Sequence, residues 1–229
     1  MKYKKEFQTA FKVSIPVMMG YGVLGFAFGL LIVSLNYDWY ISILMSVFIY
    51  AGALQFLAVG FFSTKLGLFD IFITSIFVNI RQSFYGLSML EKFKNTKNIK
   101  PYLIFGLTDE TYALLTSIKD DESLNRKYYY LYLSMLNQSY WVTGTILGAL
   151  FGSLVSFDTK GLDFSLTALF IVLAIEQYKH NQNITPFIIG AVASVLAFIF
   201  VPLNSMLIFA IVCSLIGMFI FKKRLQYDK

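Results

Sequence analysis

Four stretches of this chain carry no Asp, Glu, Lys or Arg: Val13–Tyr37, Trp39–Thr64, Tyr128–Phe157 and Asn181–Phe221. Each is longer than the roughly 20 apolar residues that cross a bilayer as a helix. A soluble domain cannot bury so many uninterrupted apolar side chains and still present a polar surface. Charged residues make up 14% of the 229 and hydrophobic types 57%, against about 25% charged in an ordinary soluble domain. The pattern predicts an all-α polytopic membrane protein built as a single integral membrane domain. Helices satisfy their own backbone polar groups in lipid, and the sequence shows no strands of alternating polarity.

The formal charge of +6 does not point to nucleic acid. The basic residues lie at the chain ends and in short loops, where they mark topology and attract anionic lipid. The lone Cys213 offers neither a disulfide nor a metal site, and the lone His180 sits in a polar loop. No metal and no cofactor is expected. The N-terminal lysines followed by an apolar run resemble a signal peptide, but the run continues to about Leu35 and more spans follow. It is read as a retained first helix.

Clear spans are Val13–Leu35, Ile41–Phe62 and Tyr130–Leu154, with two more in the final run divided near Pro202 and Asn204; Leu162–Tyr178 is slightly short. Phe69–Leu90 carries Arg81, and Pro101–Ile118 carries Asp109 and Glu110. The bundle then has about 7–8 transmembrane helices, one or two of which could be broken or re-entrant. Lysines at the N-terminus and Lys222, Lys223 and Arg224 at the C-terminus predict cytoplasmic termini in a bacterial plasma membrane. Eight full crossings would put Glu91–Lys100 outside with its four lysines, against that rule. Both lysine-bearing loops become cytoplasmic if Pro101–Ile118 is re-entrant and one earlier segment also fails to cross.

Glycine is the first local signal. Gly22, Gly25 and Gly29 line one helix, and Gly144, Gly148 and Gly152 form a ridge on another. Small residues four apart let backbones approach closely, either for static packing or at an interface with a moving bundle or partner. The matched spacing is also a weak sign of an internal repeat, with halves near 1–118 and 128–221. Pro16 reads as a residue at the start of the first helix.

Arg81 is the sharper signal. Facing lipid near the bilayer centre, it would cost at least roughly 2.5–3.5 kcal/mol, so it must face protein or water. Asn79, Gln82 and Gly86 share one helical face near it, and Tyr85 lies one turn after Arg81. Asp109 and Glu110 occupy the middle of the next segment beside Thr108, Thr111 and Tyr112. Adjacent residues point about 100° apart, so one carboxylate can pair with Arg81 while the other faces a cavity. A carboxylate taken out of water holds its proton to higher pH, which suits proton carriage. Gln55, Asn137 and Gln138 are amides in otherwise apolar runs, and each needs a partner.

The residues Ala51-Gly52-Ala53-Leu54-Gln55-Phe56, Asn79-Ile80-Arg81 with Tyr85-Gly86-Leu87-Ser88, and Leu107-Thr108-Asp109-Glu110-Thr111-Tyr112-Ala113 resemble the AzlC family, the larger subunits of bacterial branched-chain amino-acid exporters. The glycine-rich first helix fits as well, whereas the second half of the chain matches mainly in hydropathy. One position departs: a histidine commonly follows the arginine in that family, and here it is Gln82. The resemblance implies export of leucine, isoleucine and valine, with methionine as a further candidate, driven by the proton motive force. It also implies a small hydrophobic companion subunit of the AzlD type. A zwitterionic substrate needs a group for its carboxylate, a group for its ammonium and an apolar pocket. Arg81, then Asp109 or Glu110, then Phe56 with Phe84 are the candidates for those three roles.

Other function classes are open at this point. A channel could use the same polar residues to line a pore, and a scaffold subunit would explain the glycine ridges but not the midplane charges. An intramembrane lipid-modifying enzyme would call for more acidic clusters, histidines or metal ligands than are present.

Overall fold

The computed structural model describes residues 3–63, 66–117, 124–154, 171, 174–175, 178, 183–202 and 206–221. Among the described residues all regular structure is helical. The elements are α1 (Lys4–Ser34), α2 (Trp39–Phe48), α3 (Gly52–Ser63), α4 (Leu68–Met89), a 3-10 helix (Lys94–Ile99), α5 (Lys100–Phe105), α6 (Asp109–Ser117), α7 (Arg126–Leu154), α8 (Thr185–Phe200) and α9 (Met206–Ile220). By length and composition, one of them, α1, is long and apolar enough to cross a membrane. The expected segment Leu162–Tyr178 lies largely outside the described residues, as do His180 and the basic C-terminus. The chain packs as two units, Met1–Ser63 with Asn79–Thr159, and Thr64–Val78 with Lys160–Lys229.

In the first unit α1 and α7 run side by side and parallel. Tyr3 stacks on Tyr128 with ring centroids 3.7 Å apart, Phe7 meets Tyr132 edge-on at 5.6 Å, and Ser14 Oγ lies 3.1 Å from Tyr140 Oη. Farther along, the glycines close the seam. A Cβ on Gly25 would fall 2.6 Å from the Trp141 carbonyl oxygen, and one on Gly144 would fall 2.8 Å from that of Gly22. On Gly29 and Gly148 it would collide with the carbonyls of Thr145 and Phe26, and on Gly152 it would press on Leu30 and Val33. The blocking groups at the first four positions are backbone, which cannot swing aside. Gly22 has open space where its own Cβ would be, and serves by leaving its carbonyl against Gly144. Gly25, Gly29, Gly144, Gly148 and Gly152 are therefore consumed in packing within the chain. Pro16 sits inside α1, which begins earlier than expected, at Lys4.

The expected span Ile41–Phe62 is not one helix. It breaks at Tyr50, whose φ of 43° ends α2 and turns the chain back as α3. The arms are antiparallel: Tyr37 and Phe62 bring their rings to 4.8 Å at the open end, and Gln55 Nε2 donates to Ser46 Oγ at 3.1 Å near the tip. A straight helix would separate residues nine apart by about 13 Å along its axis. The left-handed conformation at a tyrosine costs about 1–2 kcal/mol. The surrounding packing offsets that cost: Tyr50, Ala51 and Phe56 are buried, and the ring edge of Trp141 lies against Gly52.

A second folded-back pair comprises α5 and α6, broken at Gly106–Thr108. Thr108 caps α6 by accepting the Thr111 backbone N–H at 3.2 Å, and Asp109 and Glu110 occupy the first turn, where the helix dipole favours acids. Leu103 on one arm and Leu115 on the other share a core with Phe93, Tyr129, Tyr130 and Leu133. Lys92 Nζ, ahead of the pair, donates to the Leu115 carbonyl. Both arms therefore start and finish beside the N-terminal turns of α7, whereas α2 and α3 open at the opposite end, beyond the C-terminus of α1. The part of α4 in this unit, from Asn79, runs toward the N-terminal end of α7, because Met89 lies in the same core.

In the second unit α8 and α9 pack with Gly217 against the Ile189 side chain. They match the two helices expected on either side of Pro202 and Asn204. Cys213 is half-buried and free.

Candidate functional site

The two hairpin tips meet on the flank of α1 and α7, and the polar residues of the first unit gather there. Gln138 of α7 joins the hairpins directly. Its Oε1 accepts from Tyr102 of α5 at 2.7 Å, and its Nε2 donates to the Val47 carbonyl of α2 at 3.2 Å. Gln55 is fully buried with both ends of its amide used, accepting from Trp141 Nε1 at 3.0 Å and donating to Ser46, which in turn lies 2.9 Å from Thr145 Oγ1. It is a tie between α3, α2 and α7 and has no free atom for a ligand. Phe56 is likewise core, packed edge-on to Phe28 and Trp141. Phe84 is 62% exposed on α4, so the pocket expected from Phe56 with Phe84 does not form.

The carboxylates diverge as their adjacency requires. Asp109 Oδ2 lies 2.6 Å from Arg81 Nη1, joining α4 to the start of α6. The two side chains keep 43% and 39% of their surface accessible, yet Arg81 Nε and Asp109 Oδ1 are buried and make no hydrogen bond. The pair therefore retains a buried donor and a buried acceptor without a hydrogen bond. Tyr85 lies against it, stacked on Tyr112 with centroids 4.4 Å apart, and Ser88 Oγ is 3.1 Å from Tyr112 Oη. Asn79 and Gln82 are half-buried on α4 beside Arg81, and among the described residues neither is hydrogen-bonded to the pair.

Glu110 points instead to α1. The Tyr21 hydroxyl donates to Glu110 Oε2 at 2.6 Å and lies 2.7 Å from Thr108 Oγ1. Thr108 Oγ1 donates to Thr111 Oγ1 at 3.0 Å, which also accepts from Asn137 Nδ2 at 3.0 Å. The Tyr50 hydroxyl, at the tip of the other hairpin, is buried beside Tyr21 and Thr111 without a formed hydrogen bond. Asn137 Oδ1 is buried and unpaired as well. Asn137 is thus a buried network residue and not a glycosylation site.

The structure brings Arg81, Asp109, Glu110, Tyr85, Thr108, Asn137 and Gln138 to one region. It adds Tyr21, Tyr50, Tyr102, Thr111 and Trp141, which sequence reasoning did not single out as site residues. For Thr108 and Thr111 a signal existed, since Thr-Asp-Glu-Thr after Gly106 is the pattern of a helix start. Tyr21 and Tyr50 stand among apolar residues with nothing to mark them.

The AzlC protein family matches residues 16–155, the stretch that holds both hairpins and both glycine ridges. The chain belongs to the AzlC family. It is 34% identical over 220 residues to the branched-chain amino acid transport protein AzlC of Bacillus subtilis, covering 96% of this chain and 87% of that one. An uncharacterized membrane protein of Helicobacter pylori is 41% identical over 225 residues, covering 98% and 99%. The inner membrane protein YgaZ of Escherichia coli is 29% identical over 202 residues, covering 84% and 82%. No solved structure matches the chain. As an AzlC-family member it is a membrane protein, and the curated names attached to its relatives are those of membrane and transport proteins.

Proposed function

We propose that this AzlC-family chain is the large subunit of a secondary transporter that exports branched-chain amino acids across the bacterial plasma membrane, working with a small AzlD-type subunit and coupled to the proton motive force. The observation that carries the reading is the Arg81–Asp109 pair beside two broken helices, with a buried donor and a buried acceptor unused. A zwitterion fits that pair. Its carboxylate takes the Arg81 guanidinium, which binds carboxylates well, and Asp109, displaced, receives the ammonium. One neutral pair exchanges for two, so net charge in the site stays constant.

In this reading α1, α4 and α7 cross the bilayer, α2–α3 enters from the outer face, and α5–α6 enters from the inner face. Lys92, Lys94, Lys97 and Lys100 then lie with the N-terminus on the cytoplasmic side, as the lysine rule asks. Short helices broken at the membrane midplane are where many carriers hold their substrates. Export of a panel of labelled amino acids from cells with and without the chain tests the proposal. Selective loss of leucine, isoleucine and valine efflux on deletion supports it; unchanged efflux of all three rejects it.

A further inference from the structure

Asp109 and Glu110 are adjacent, yet their surroundings differ in kind. Asp109 is neutralised by Arg81. Glu110 has no cation at ion-pair distance among the described residues, and its partner is a hydroxyl, that of Tyr21 from α1, which also contacts Thr108 of Glu110's own hairpin. The other groups facing it are the Tyr50 hydroxyl, from the tip of α2–α3, and the Arg81–Asp109 pair, which is neutral as a unit. Glu110 is exposed. A lone carboxylate held by a hydroxyl can change charge without dismantling an ion pair, because a hydroxyl can donate to a carboxylate or accept from a carboxyl.

We infer that the two acids divide the work: Asp109 with Arg81 holds the amino acid, and Glu110 carries the coupling proton, oriented by Tyr21. The inference rests on the transport reading above and adds the carrier to it. A proton from outer water adds to a Glu110 carboxylate oxygen and is later released to inner water. Tyr21 keeps its own hydroxyl proton throughout and acts as a positioning residue.

The test uses everted membrane vesicles from cells expressing the full chain with its small companion, loaded for leucine counterflow and separately given an acid-inside pH gradient. In the wild type a gradient of one unit raises leucine accumulation about ten-fold at one proton per substrate. Glu110→Gln is expected to keep counterflow and lose the gradient response; Asp109→Asn is expected to lose both. Glu110→Asp should retain coupling with a shifted pH profile. Tyr21→Phe should shift that profile while leaving counterflow within about two-fold, which a merely structural residue would not do. A gradient response in Glu110→Gln equal to wild type overturns the inference, as does wild-type counterflow without any gradient response. If the wild type shows no counterflow, the transport reading itself falls. If Glu110→Gln loses counterflow together with the gradient response while Glu110→Asp retains neither, the division of labour is wrong.

Discussion

The α1–α7 seam makes a quantitative prediction that does not depend on function. Adding a methyl at Gly148 places it against the Phe26 carbonyl, and at Gly144 places it 2.8 Å from the Gly22 carbonyl and 3.0 Å from that of Tyr21. An ordinary contact would need 3.4–4 Å, and no side-chain rotation is available to restore it. The helices must separate along the seam, which strips contacts from Phe28, Ala149 and Trp141, all buried near it. Overpacking of this kind costs about 1–3 kcal/mol, and the backbone obstruction at Gly148 puts it at the upper end. At about 2–4 °C per kcal/mol for a chain of this size, Gly148→Ala should lower the melting temperature in detergent by about 6–12 °C. Gly22→Ala is the internal control. Nothing lies within 4 Å of its added Cβ, and alanine favours the helix by about 1 kcal/mol over glycine. Gly22→Ala should therefore match or exceed the wild type. Equal melting temperatures for Gly148→Ala and Gly22→Ala, measured by tryptophan fluorescence in the same micelles, would refute the reasoning that backbone contact sets the seam.

Other outcomes follow from particular contacts. Gln55→Leu leaves the buried Trp141 Nε1–H and Ser46 without their partner and should destabilise by about 1–3 kcal/mol, read as a lowered melting temperature. Tyr50→Phe removes a buried hydroxyl that makes no formed hydrogen bond, so the melting temperature should hold or rise; a fall of many degrees would show that the hydroxyl has a partner after all. Gln138→Leu removes one tie from each hairpin to α7 at once and should slow transport more than it lowers stability, read by leucine counterflow beside a melting curve. The folded-back topology predicts that single cysteines at Asp38 and Ser63 react with a membrane-impermeant thiol reagent from the outer face. Cysteines at Asn95 and Ser117 should react from the cytoplasmic face, and reaction of Asn95 from outside would sink the re-entrant assignment.

The charged centre was visible in the sequence because apolar surroundings leave charges few options. An acid from the next segment was available to pair with Arg81, and the roughly 100° step between neighbours meant that both acids could not do so equally. The glycine ridges were equally visible, although spacing alone could not say that they face each other. The first hairpin was hidden. Its chain reversal lies inside the charge-free run Trp39–Thr64, with no proline, and depends on a left-handed tyrosine held by its neighbours in space. The second reversal was legible in part, since Gly106 and Thr108 followed by two acids spell a helix start, yet the continuous hydropathy of Pro101–Ile118 reads as one segment. Tyr21 escaped notice because an aromatic in an apolar helix is ordinary until its hydroxyl is seen against Glu110.

The central claim is that Arg81 and Asp109 together receive a neutral amino acid. Leucine counterflow in vesicles, with wild type, Arg81→Ala and Asp109→Asn at matched protein levels, tests it most directly. The account predicts trans-stimulated exchange of labelled leucine in the wild type and its loss in both variants. Wild-type exchange in either variant would contradict it.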